Sequence, residues 1–282
     1  MAVRVAGGVP RKDVEELELT LLLEAIAVHY GYDFRGYARA SIKRRMWRRM
    51  LEEGLATISG LQERVLHDPG CMDRLLLDLS INVTSMFRDP SFWAALRDRI
   101  VPILRTYPYI RVWNPGCSTG EETYSLAILL REEGLESRAR IYATDINATV
   151  LDQAREGSFP LERMREFTAN YLAFRGRASF SDYYKVYGDR ARFDPTLVEN
   201  CVFAQHNLVS DDSFNEFNLI VCRNVMIYFD KTLQDRVHDL FHRSLSRSGV
   251  LALGHKESIR FTSHAGTYEE LDAQEKLYQR RR

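Results

Sequence analysis

The chain has 282 residues, 45% hydrophobic and 28% charged, and its 39 Lys and Arg balance its 39 Asp and Glu. A net charge of zero implies no global attraction to nucleic acid or membrane, so only a local patch could argue for either. No stretch approaches the uncharged apolar length that crosses a bilayer, and the opening MAVRVAGGVPRKD lacks the apolar run of a signal peptide. The four cysteines, Cys71, Cys117, Cys201 and Cys222, form no CxxC pair, which disfavours a disulfide framework and a zinc site alike. A cytoplasmic protein without a metal is expected.

Residues 1–80 read as an all-helical domain. VEELELTLLLEAIAVHYGYDF has apolar residues at helical spacing and closes at Gly31. YARASIKRRMWRRMLEEG places Ile42, Met46, Met50 and Leu51 on one face and stops at Gly54. ISGLQERVLHD and GCMDRLLLDLSI supply two further helices. From Arg35 to Arg49 there are seven basic residues and no acidic one. Lys43, Arg44, Arg45, Arg48 and Arg49 lie largely opposite the apolar stripe. A solvated helix face is the ordinary fate of such a run, and a phosphate-docking helix is the alternative.

A linker helix region follows over 81–108, and from 109 to 282 the pattern changes. IRVWN, RIYATDI, FNLIVCR and GVLALGH read as strands between the helical stretches EETYSLAILLREEG, ATVLDQAREG and DKTLQDRVHDLFHRSLSRSG. That alternation predicts an α/β domain with a mostly parallel sheet. The text from about 160 to 203 breaks it with a helix and short aromatic, β-leaning runs, read as an inserted small antiparallel β-subdomain. TYEELDAQEKLYQRR predicts a terminal hairpin around Asp272-Ala273.

The stretch Val112–Ile128, VWNPGCSTGEETYSLAI, has the outline of a ligand-cradling loop between a strand and a helix. Backbone N–H groups at a helix N-terminus attract anions. Glu121 and Glu122 in the first turn would repel a pyrophosphate, which argues against NAD or ATP. S-adenosylmethionine, with a sulfonium, an α-ammonium and no phosphate, suits such a place. Asp145, ending the strand RIYATDI, stands where adenosyl-cofactor sheets carry an acceptor for ribose hydroxyls. Ser118-x-x-Glu121 and Thr119-x-x-Glu122 also read as capping boxes, in which the glutamates merely satisfy helix N–H groups. These residues alone leave both readings open. His238 and His242, at i and i+4, lack the glutamate and third ligand of a zinc helix, so a solvated helix face is expected there.

INVTSMFRDPSFW (Ile81–Trp93), GCSTGEETYSLA and CRNVMIYFD together resemble the CheR family of chemoreceptor glutamate methyltransferases, in order along nearly the whole chain. Family members usually read NxTxFFR at the linker, whereas Met86 here replaces the first Phe; an apolar contact is expected to survive. Lys256 in GHKES stands where the family commonly has a serine. The resemblance implies a Rossmann-like methyltransferase domain, preceded by the helical domain and carrying the β insertion. It implies S-adenosylmethionine as donor, S-adenosylhomocysteine as product and a glutamate γ-carboxylate of a chemoreceptor's cytoplasmic helices as acceptor. Carried over by motif, Asn82, Thr84 and Arg88 reach the cofactor from the linker. Glu121 lies near its ammonium, Asp145 binds the ribose, Asn207 and Leu208 flank the adenine, and Arg223 and Asn224 close the pocket. Arg88 and Tyr228 are the implied catalytic residues, and the basic helix becomes a dock for glutamate-rich receptor helices. A monomer is expected, with no nucleic-acid partner and no membrane insertion. A cofactor-binding scaffold or sensor without catalysis is the alternative.

Overall fold

The computed structural model describes residues 11–80 and 84–281. The chain forms two compact units, Met1–Ile81 with Tyr228–Asp230, and Asn82–Ile227 with Lys231–Arg282. Among the described residues no helix is long and apolar enough to cross a membrane.

The first unit contains α1 (Arg11–Tyr30), α2 (Arg39–Glu52), α3 (Ile58–His67) and α4 (Pro69–Leu79). Gly31 and Gly54 follow α1 and α2 with φ of +76° and +69°, a left-handed backbone that ends a helix without a Cβ penalty. Thr57 caps α3 by accepting from Gly60 N, and Asp68 caps α4 by accepting from Gly70 N with Pro69 in the first turn. Leu19, Leu22 and Ile26 of α1 are buried, as are Ile42, Met46 and Met50 of α2. Leu51, expected on that stripe, is 65% exposed, because it lies one position, about 100° of helix rotation, beyond Met50. The later segment Tyr228–Asp230 packs in this unit. Tyr228 O accepts from Ala38 N and Asp230 N donates to Gly36 O, both at 2.7 Å, and Tyr37 and Phe229 form a bridge with ring centroids 4.8 Å apart.

The basic run is largely neutralised within this unit. Lys43 pairs with Glu16 at 2.9 Å. Arg45 is half-buried, donates to Leu79 O and lies 5.4 Å over the Tyr228 ring; burial pushes its pKa down. Arg49 has an 11% exposed side chain held by Asp78, Glu52 and Glu53. Arg44 and Arg48 are exposed, Arg48 with an exposed i,i+4 pair to Glu52. Of the five residues expected to form a docking face, Arg49 is therefore structural, and Lys43 and Arg45 are committed to partners in the unit.

The second unit begins with α5 (Pro90–Ala95), which continues through a π-helical turn (Leu96–Ile100) into α6 (Val101–Leu104). Then follow β1 (Ile110–Pro115), α7 (Glu121–Glu132), β2 (Ala139–Asp145), α8 (Ala148–Glu156) and β3 (Ser158–Pro160). After these come α9 (Met164–Phe174), β4 (Tyr184–Tyr187), β5 (Arg190–Phe193), β6 (Cys201–Gln205) and β7 (Phe217–Cys222). The chain closes with α10 (Lys231–Ser244), β8 (Leu245–Leu253), β9 (Tyr268–Asp272) and β10 (Leu277–Arg280). The main sheet has seven strands in the order β6-β2-β1-β7-β8-β10-β9. The first five are parallel, and β10 and β9 form the expected antiparallel hairpin. The insertion is a separate antiparallel sheet, β3-β5-β4, with α9. It ends before residue 201, because Cys201–Gln205 pairs in register with Ile141–Asp145 of the main sheet.

The linker motif packs against the insertion. Met86 and Phe87 are fully buried, and the Phe87 ring stacks on Phe174 of α9 at 4.9 Å and meets Trp93 edge-on at 5.4 Å. The apolar contact expected of Met86 is present. His238 is 2% exposed, not solvated as expected, because that face of α10 turns into the core with Val237 and Phe241. Its imidazole is pushed down to about 4 by burial. His242 stacks on His264 at 4.2 Å, and among the described residues no group of three or more His, Cys, Asp or Glu could hold a metal ion.

Candidate active site

Adjacent strands β1 and β7 are where the strand order reverses, and in open α/β sheets ligands bind beyond the carboxyl ends of strands at that point. The loop leaving β1 turns through Gly116, Ser118 and Gly120, with φ of +69°, +51° and +95°. Gly116 is there for space. A Cβ would lie 2.4 Å from Val225 Cγ2, so the loops after β1 and β7 can meet only over a glycine. Gly120 is the N-cap of α7, with no side-chain cap. Neither Ser118 nor Thr119 therefore serves as the N-cap of a capping box, although the Glu121 carboxylate still takes its own backbone N–H.

Glu122 is committed inside the protein. Its carboxylate accepts from Asn114 Nδ2 and from Arg223 Nη1, both at 2.9 Å. Arg223, whose side chain has no exposure, also pairs with Asp89 at 2.6 Å, donates to Arg88 O at 3.2 Å and lies 4.0 Å over the Phe92 ring. One buried chain thus ties the linker (Asp89), the end of β7 (Arg223), α7 (Glu122) and β1 (Asn114). Arg223, which the resemblance assigns to the cofactor pocket, is enclosed by these partners and joins the surrounding segments. The Arg88 side chain is half-exposed, and its charge helps oppose the upward push that burial gives the Glu122 pKa.

Glu121, the loop's other carboxylate, is buried between two side chains. It is 1% exposed, with one oxygen accepting from Thr119 Oγ1 at 2.6 Å and the other from Arg163 Nη1 at 2.7 Å. Arg163 also donates to the carbonyl of Thr84. Three more bonds hold the linker to α9: Ser85 Oγ donates to Glu166 at 2.6 Å, and Asn170 Nδ2 donates to Met86 O at 3.0 Å and to Ser85 Oγ at 3.3 Å. At the end of β2, Asp145 accepts from Ser118 N at 2.9 Å and from Asn147 N at 3.0 Å. The backbone N–H of Ile146 also favours the charged form of this carboxylate, so three backbone donors hold it at the strand tip. Burial raises the pKa of both Glu121 and Asp145. His206 N donates to Asp145 O at 3.0 Å, which sets the next loop beside this carboxylate. In that loop Asn207 accepts from Val209 N at 3.0 Å, and Leu208 is buried.

The loop after β7 is held by a residue that sequence reasoning left unassigned. Glu257 accepts from Asn224 N (3.0 Å), Val225 N (3.0 Å), Met226 N (2.8 Å) and Gly254 N (2.7 Å). Asn224 takes a φ of +61° in this arrangement. Glu121, Asp145, Asn207, Asn224 and Thr84 therefore belong to one set of loops at the carboxyl ends of β1, β2, β6 and β7 and the linker. Asn82 lies outside the described residues. Tyr228 belongs to the helical unit.

This donor set fits a ligand with a cationic end and hydroxyl groups. It offers a buried carboxylate at the helix start and a second at a strand tip. S-adenosylmethionine meets both requirements, with its ammonium and sulfonium at one end and ribose hydroxyls in the middle.

The family model described as CheR methyltransferase, all-alpha domain, matches residues 17–80, and that described as CheR methyltransferase, SAM binding domain, matches residues 82–277. The Pseudomonas putida protein named "Putative methyltransferase Cher3" is 49% identical over 265 residues, covering 94% of this chain and 97% of that protein. The chemotaxis protein methyltransferase of Listeria monocytogenes is 30% identical over 233 residues, 81% of this chain and 85% of that protein. Its Escherichia coli counterpart is 30% identical over 250 residues, 84% of each chain. The chain belongs to the CheR methyltransferase family.

Proposed function

We propose that the protein transfers a methyl group from S-adenosylmethionine to glutamate γ-carboxylates in the cytoplasmic helices of a methyl-accepting chemoreceptor. The observation that carries this reading is the paired carboxylates, Glu121 at the start of α7 and Asp145 at the tip of β2, in a chain that matches the family over both its domains. Bound S-adenosylmethionine supplies an electrophilic methyl group on a sulfonium.

The chain's own residues then have binding and alignment to perform. Glu121 takes the ammonium, Asp145 the ribose hydroxyls, and Asn207 and Leu208 the adenine. Thr84 and Asn82 close the site from the linker, and Asn224 closes it from the loop that Glu257 pins. Arg223 serves through Glu122 and Asp89, as a positioning residue. A glutamate side chain is already ionised at neutral pH, so the acceptor needs no general base. The catalytic gain is proximity and orientation, consistent with the absence of His and Cys from the candidate residues. Arg88 holds the acceptor carboxylate by charge-assisted hydrogen bonds, and Tyr228 takes its catalytic role from the family motif CRNVMIYFD alone. Arg44 and Arg48 supply the docking charge for the receptor.

Incubation with labelled S-adenosylmethionine and receptor signalling fragments tests the reading. Label should appear on the fragment and disappear when its exposed glutamates are replaced by alanine. Label persisting on the fully replaced fragment would refute the glutamate acceptor.

A further inference from the structure

Glu121 does not wait alone for a cation. Arg163, in the turn after β3 of the insertion, already donates to it at 2.7 Å. A bare ammonium approaching this carboxylate would share it with a guanidinium and be repelled by it. A ligand that carries a carboxylate next to its ammonium would turn that repulsion into attraction.

We propose that Arg163 binds the α-carboxylate of the cofactor's amino-acid end, so that Glu121 and Arg163 together recognise a zwitterion. The proposal rests on Glu121 as the partner of the ammonium.

The geometry supports it in three ways. First, the guanidinium is fixed in place: it bonds Glu121 and the carbonyl of Thr84 and sits 4.7 Å over the ring of Phe167, which is fully buried. Second, it has donors to spare. A guanidinium carries five N–H groups, and among the described residues Arg163 directs one to Glu121 and one to Thr84. Third, it is reachable, since its side chain is 29% exposed while that of Glu121 is 1% exposed. A planar fork beside a buried carboxylate matches the two charged groups of an α-amino acid.

Calorimetric binding of three ligands separates the possible roles: S-adenosylhomocysteine (ammonium and carboxylate), S-adenosyl-3-thiopropylamine (ammonium only) and 5′-methylthioadenosine (neither). The wild type should prefer S-adenosylhomocysteine to the thiopropylamine by roughly tenfold or more, the scale of a charge-assisted hydrogen bond. In Arg163→Met the affinity for S-adenosylhomocysteine should fall by roughly ten- to hundredfold. The thiopropylamine should bind that variant no more weakly than wild type, methylthioadenosine should be unaffected, and Arg163→Lys should recover part of the loss. Equal weakening of all three ligands would mean a purely structural role and overturn the proposal. So would a wild type that binds the thiopropylamine as tightly as S-adenosylhomocysteine, a measurement that needs no variant to fold. Glu121→Gln tests the underlying reading separately. It should weaken both ammonium ligands and spare methylthioadenosine, and if the thiopropylamine is unaffected, the assignment of Glu121 to the ammonium is what has failed.

Discussion

Glu257 and Asn224, thirty-three positions apart, are joined where the Glu257 carboxylate accepts the Asn224 N–H at 3.0 Å. The same carboxylate takes the N–H groups of Val225, Met226 and Gly254, so one buried side chain organises the whole turn after β7. Glu257→Gln keeps the shape but sets an amide N–H₂ against backbone donors. It should cost about 3 kcal/mol of stability, the scale of losing hydrogen bonds to a buried charged acceptor, as read by urea denaturation. Cofactor affinity should fall with it. A variant as stable as wild type would remove Glu257 from this role.

Asp145→Ala should weaken S-adenosylmethionine binding by about 1–3 kcal/mol. The loss has two sources, the ribose acceptor and the bond that holds Ser118 N. Calorimetry on the folded variant checks it, and unchanged affinity would separate Asp145 from the ribose.

Much of this site was legible because its pieces are local in sequence. The β1 loop, Glu121, the strand-tip Asp145 and the CRNVMIYFD segment each announce themselves by spacing or motif. What spacing could not reveal was the partner of each carboxylate. Arg163 lies forty-two residues from Glu121, and Arg223 lies 101 residues from Glu122; only the folded sheet brings each pair together. Charge counting failed on α2 for the same reason. The seven basic residues look unopposed along the chain, yet Glu16 of α1 and Asp78 of α4 neutralise members of the run in space. His238 misled because a polar type at helical spacing was taken for a solvated face, whereas it shares the inward face with Val237 and Phe241.

The split of the basic helix into structural and exposed charges has a measurable consequence. Arg49→Ala strands Asp78, whose side chain is 11% exposed, and should cost about 2 kcal/mol of stability, read by thermal or urea unfolding. Reversing Arg44 and Arg48 together to Glu should cost no more than about 1 kcal/mol of stability, from the lost pair with Glu52 and the like charges left there, and leave cofactor affinity intact. It should raise the apparent Michaelis constant for receptor roughly three- to tenfold, since exposed pairs are individually weak. Added salt should weaken wild-type methylation more than that of the reversed variant. Equal receptor kinetics at low salt would end the docking role.

His238 gives the fold a pH dependence. Burial holds its imidazole at about 4 in the folded state, against about 6.5 when unfolded. Below pH 6.5 the unfolded chain takes up a proton that the folded chain refuses, so stability is full above that pH and is lost as pH falls toward 4. The contribution lost by pH 5 should be about 2 kcal/mol. Urea denaturation at pH 7 and pH 5 should show a smaller drop for His238→Leu than for wild type. Equal drops would mean that His238 is not the group responsible.

The most direct test of the central claim is the chemistry of the bond formed. A γ-glutamyl methyl ester hydrolyses in mild alkali, whereas a methyl group on nitrogen does not. Receptor fragments labelled by this protein with S-adenosylmethionine should release their label as volatile methanol after brief alkaline treatment. Label that stays on the protein through that treatment would contradict carboxylate methylation and, with it, the proposed function.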